Sequence, residues 1–72
     1  MDYYIAVFDS TSMAIKADKL LKKENLKTRM IPTPKHIKTD CGISIRFFEN
    51  DLEMVKTTLN KNNIDYKAIH KL

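Results

Sequence analysis

Cysteine, glycine, proline and tryptophan are scarce or missing in this chain: 72 residues hold one Cys (Cys41), one Gly (Gly42), Pro32 and Pro34, and no Trp. A single cysteine cannot close an internal disulfide, so the chain is not a disulfide-stapled secreted scaffold. No apolar run approaches the roughly 18 residues of a membrane span. No charged-then-apolar leader opens the sequence, so the expected location is cytoplasmic, with no membrane contact. Neither a CxxC nor an HxxxH spacing occurs, and His36, Cys41, Asp40 and His70 do not make a metal-ligand pattern, so no metal is expected. The lack of a glycine-rich phosphate loop leaves no cofactor to expect.

What is present is an ordinary globular balance. With 43% hydrophobic and 31% charged residues the chain can bury a core, but its length limits it to one domain, residues 1–72, with little area to spare for a deep pocket. The net charge of +4 is mild and its lysines are scattered, which suggests an acidic partner without singling one out.

Local patterns give an order of elements. The run Tyr3 to Phe8 is β-rich. Ser10 and Thr11 can cap a helix from about Thr11 to Asn25, with Met13, Ala14, Ala17, Leu20 and Leu21 at helical spacing. Leu26 to Ile31 alternates as a second strand, ended by Pro32 and Pro34. Ile43 to Phe47 alternates as a third. Asn50 or Asp51 can cap a second helix with the stripe Leu52, Val55 and Leu59, and Ile64 to Ile69 reads as a fourth strand. The order βαββαβ implies an α+β, ferredoxin-like two-layer sandwich: a four-stranded antiparallel sheet with two helices on one face. The expected core is Ile5, Val7, Leu20, Leu21, Ile43, Ile45, Leu52, Val55 and Leu59.

That topology gives the lone thiol a place. Cys41 ends the stretch Ile31-Pro32-Thr33-Pro34-Lys35-His36-Ile37-Lys38-Thr39-Asp40-Cys41-Gly42, which joins the second and third strands. This loop lies at the same end of the sheet as the start of the first helix, Ser10-Thr11-Ser12. Free N–H groups and a partial positive charge there favour an anion and can activate a thiol. Lys35, His36 and Lys38 would add positive potential and Asp40 would oppose it. On this reading Cys41 is accessible, and Gly42 supplies either a positive φ or room for a partner to approach. The alternative is that Cys41 is a small apolar core residue. A Cys41–His36 nucleophile pair lacks a third orienting group.

The other sheet face is open. With Ile43, Ile45 and Phe47 turned to the helices, Ser44 and Arg46 face out, accompanied by Arg29 and Tyr4. Such a face suits docking or a homodimer. Nucleic acid is not expected, because Ser44 and Arg46 stand where a base-stacking sheet would place aromatics.

Several residues together resemble a known family. Tyr4, Phe8, Ser10 and Thr11, then Ala14 and Ala17, then Ile31-Pro32 with Pro34, then Cys41-Gly42 and Arg46, are similar to a bacterial domain family labelled selenium/sulfur carrier-like. The resemblance runs from about Tyr3 to Tyr66. It implies a carrier rather than a stand-alone enzyme. Cys41 would hold sulfur or selenium as a persulfide or perselenide, beside Gly42 and the helix start at Ser10, Thr11 and Ser12. The partners the resemblance implies are sulfur or selenium donor and acceptor proteins; Lys35, His36 and Arg46 are candidate binding residues by their chemistry, with a solvated loop residue the plainer reading of His36. The chain departs from the family pattern at Ser12, Met13, Lys35, Thr39 and Ser44. A carrier without a second cysteine has no internal thiol to expel its cargo. The rival function is a non-catalytic regulatory or interaction module that uses the open sheet.

Overall fold

A computed structural model describes residues 2–39 and 41–72. The first strand, β1 (Tyr3–Val7), leads into helix α1 (Thr11–Lys23), then strands β2 (Thr28–Pro32) and β3 (Ile43–Phe48). A short 3-10 turn (Glu49–Asp51) opens helix α2 (Leu52–Lys61), and β4 (Ala68–Lys71) closes the sheet. The four strands form one antiparallel sheet in the order β2-β3-β1-β4. This is the expected α+β sandwich of βαββαβ order.

Both helices end by the same device. At α1, Asn25 N–H bonds the Lys22 carbonyl and Leu26 N–H the Leu21 carbonyl; at α2, Asn63 bonds Asn60 and Ile64 bonds Leu59. These are paired Schellman closures, which need a left-handed residue after the cap. The chain uses Asn25 (φ 63°) and Asn63 (φ 57°) there, asparagine being the side chain that best tolerates that region after glycine. Each closure turns the next apolar residue, Leu26 or Ile64, onto the core.

Those closures move two strand boundaries. Leu26 belongs to the end of α1, so β2 starts at Thr28 and runs through Pro32. Thr33 N–H points at the Gly42 carbonyl, so by antiparallel alternation the position without an N–H, Pro32, faces the outer edge of the sheet. Ile64 likewise belongs to the end of α2, and β4 begins only at Ala68, four residues later than its alternation suggests. At the start of α2, Asp51 occupies the cap position but its side chain makes no capping bond.

The core lies between sheet and helices. Ala6, Phe8, Ile45 and Phe47 meet Ala14, Ala17 and Leu21 of α1, Val55 and Leu59 of α2, and Ile64. Leu20, Ile43 and Leu52 are only partly buried against this cluster. Ile5 and Val7 are fully buried, yet they lie on the other face: Ile5 is directly opposite Arg46 and His70, and Val7 opposite Ser44 and Ala68. The phase of β1 is therefore the reverse of the expected one. Tyr4 packs with the helix-side core and stacks on Phe47, while Tyr3 is the aromatic on the open face. The sheet and α1 are also tied by Asp18, whose carboxylate accepts from Thr28 Oγ1 at 2.8 Å and pairs with Lys22 at 2.9 Å.

Candidate functional site

The β2–β3 loop folds back over the ends of β1 and α1 through its hydroxyls. Thr33 extends the ladder beyond β2, its N–H donating to the Gly42 carbonyl at 3.0 Å. Thr33 Oγ1 also donates to the Cys41 carbonyl (3.3 Å) and lies 2.7 Å from the buried Ser44 hydroxyl. With one proton per hydroxyl, Ser44 is then the donor to Thr33. Ile37 N–H closes a turn onto the Pro34 carbonyl. Thr39 is the second anchor. Its hydroxyl donates to the Phe8 carbonyl at 3.0 Å and accepts the Cys41 N–H at 3.2 Å, which joins the loop to the last residue before the β1–α1 turn.

Cys41 is held by these bonds against the start of α1. Its thiol donates to the Ile43 carbonyl at 3.3 Å, and the Thr11 hydroxyl lies 3.7 Å from Sγ. Because the single thiol proton is directed at Ile43, Thr11 is the donor to sulfur. The topology does bring the thiol to the helix N-terminus. It does not leave it accessible: Cys41 is only 2% exposed and packs in the core cluster, where an accessible thiol was expected. The cause is that Cys41 packs into the core cluster, and the Thr33 and Thr39 bonds hold its backbone there.

The remaining candidate residues divide into groups. Ser10 is the N-cap of α1, its hydroxyl accepting the Met13 N–H at 3.2 Å, and Ser12 is exposed on the first turn. Lys35 and His36 are exposed on the loop and make no hydrogen bond or ion pair among the described residues. The expected opposing charge of Asp40 lies outside the described residues. Gly42 is exposed, its φ is not positive, and a Cβ there would meet nothing within 4 Å. Its lack of a side chain therefore leaves open space rather than relieving backbone strain. Gly42 and Ile43 line a groove of about 250 Å³ with Met30, Ile31 and Pro32, directly beside the thiol loop. Arg46 is not brought to the thiol: it faces the opposite side of the sheet, with its guanidinium 4.4 Å above the Tyr3 ring.

Thr33, Thr39 and Ser44 are the site residues that the sequence reading missed. The signal available was a threonine two residues before Cys41, the spacing of a side-chain turn.

The family model described as "Putative Se/S carrier protein-like" matches residues 3–71. No curated protein and no solved structure matches the chain. Among the described residues no helix is long and apolar enough to cross a membrane.

Proposed function

The chain belongs to the Se/S carrier protein-like family, and from that premise we propose that it carries sulfur or selenium on Cys41 and hands it to a partner protein in the cytoplasm. The observation that carries this reading is the seating of the chain's one thiol at the N-terminus of α1, against the Thr11 hydroxyl, by a loop whose own hydroxyls hold it. A donor persulfide, R–S–SH, gives its outer sulfur to the Cys41 thiolate. The donor S–S bond breaks, a new S–S bond forms at Sγ, and R–S⁻ leaves with the electron pair; the Cys41 proton passes to solvent. Selenium follows by the same exchange. The persulfide so formed has lost the S–H that the Ile43 carbonyl accepts, so loading exchanges that bond for donors at the helix start, where Thr11 and free N–H groups favour an anion.

A thiol that is 2% exposed must leave its seat to react, so loading and unloading both require the loop to open. The breaking points are the Thr39 bonds to Phe8 and Cys41. Gly42 and the groove beside it give a partner's active site its approach, and the exposed Lys35 presents positive charge to an acidic one. The test is loading from a cysteine desulfurase with cysteine, or a selenium donor, read by mass spectrometry as one added sulfur or selenium atom on the Cys41 peptide. Cys41→Ser must fold and carry nothing. No added mass, under conditions that load another carrier, would move the reading to an interaction module with a structural thiol.

A further inference from the structure

The open face of the sheet carries an aromatic and cationic cluster on the opposite side from the thiol. Strand β3 runs one residue beyond its expected end, and the extra residue, Phe48, lies directly opposite Tyr3 on β1. Their rings stack at 5.2 Å between centroids, 27° from parallel, and Arg46 lies over the Tyr3 ring. Ser44 and Arg46 do hold the β3 positions on this face that were expected to lack aromatics; the aromatic pair lies beyond them, at the end of the two central strands. Arg29, on the edge strand β2, is directly opposite Arg46. Like charges so placed repel, and among the described residues neither guanidinium has a carboxylate within ion-pair distance. Asp2 is engaged by Lys71, at 3.3 Å. Between the arginines and the rings lies a pocket of about 140 Å³, with Lys27 on its rim.

We propose that this face binds single-stranded nucleic acid, a phosphate lying between Arg29 and Arg46 and a base stacking on the exposed side of Phe48. A phosphate placed there relieves the repulsion of the facing guanidiniums and accepts from both forks. An aromatic on an open sheet gives the base its platform whatever its identity. A second copy of this chain is the poorer occupant, because a two-fold contact centred here would set two such arginine pairs against each other.

The test is fluorescence anisotropy of a labelled oligouridylate against salt, with Lys16→Ala and Lys19→Ala on the exposed side of α1 as controls. Arg29→Gln and Arg46→Gln should each lower the slope of log K against log salt by about 0.7. Phe48→Leu, which keeps the apolar volume, should weaken binding about fivefold or more at unchanged slope. Cys41→Ser should bind as the parent does. The proposal is overturned by absence of binding at about 100 μM protein in about 50 mM salt. It is equally overturned if the control lysines matter as much as the arginines, or if inorganic phosphate competes as well as the oligonucleotide does, phosphate for phosphate. Arg29 is exposed on the edge strand, so its variant reports on binding even if Phe48→Leu does not fold.

Discussion

Thr39 does two jobs with one hydroxyl: it donates to Phe8 and accepts from the Cys41 amide. Valine has nearly the same shape and can do neither. Thr39→Val should therefore loosen the loop and speed alkylation of Cys41 in the native protein, with little change in the helices. Timed iodoacetamide labelling followed by mass spectrometry measures this; an unchanged rate would mean that other contacts hold the loop shut. Gly42 gives the converse case. Its φ is not positive and its Cβ position is empty, so Gly42→Ala should stabilise the fold by about 0.4–1 kcal/mol through the unfolded chain. On the proposed function the same methyl stands in a partner's approach, so transfer should slow. A chemical melt that moves down instead would show that the residue serves the backbone after all.

At the scale of elements, the asparagine closures set where strands can begin. Asn63→Ala places a side chain with no local hydrogen-bonding ability at φ 57° and should cost about 1–2 kcal/mol, measured by urea unfolding, while Asn63→Gly should cost nothing. The closures also explain what was readable beforehand. The order of elements and the side of β3 that meets the helices follow from clear periodicity in α1, α2 and β3. The starts of β2 and β4 do not, because Leu26 and Ile64 look like strand residues while serving as the apolar residues of helix ends. The phase of β1 was unreadable for another reason. It is a central strand on which Ile5 and Val7 are as buried as Ala6 and Phe8, so Tyr3 to Phe8 is apolar at odd and even positions alike and alternation carries no information. That one ambiguity exchanged Tyr3 with Tyr4 and, with β3 cut one residue short, hid the aromatic pair on the open face. For Cys41 the sequence left an accessible and a core reading open, and what decides for the core is packing that no local pattern shows, with Thr39 of its own loop reaching the end of β1.

For the whole molecule, one core cluster serves both helices and the sheet, so loss of any central side chain is felt throughout. Leu59 is fully buried and its carbonyl also closes the end of α2. Leu59→Ala should cost about 2–5 kcal/mol. For a chain this short that is most of its stability, and the melting temperature should fall steeply or the variant should not fold at all. Circular dichroism against temperature decides it; an unchanged midpoint would mean that α2 presents a different face.

The seat of the thiol also bears on how the free protein ages. A sulfur reached only when its loop lifts away meets small oxidants and alkylators at a frequency the protein sets, not the reagent. Raising the reagent should speed the reaction at first and then stop doing so, at a ceiling equal to the rate of opening. A partner that lifts the loop as it docks escapes that ceiling. On the proposed function the same sulfur is slow toward the bulk solution and quick toward a docked partner.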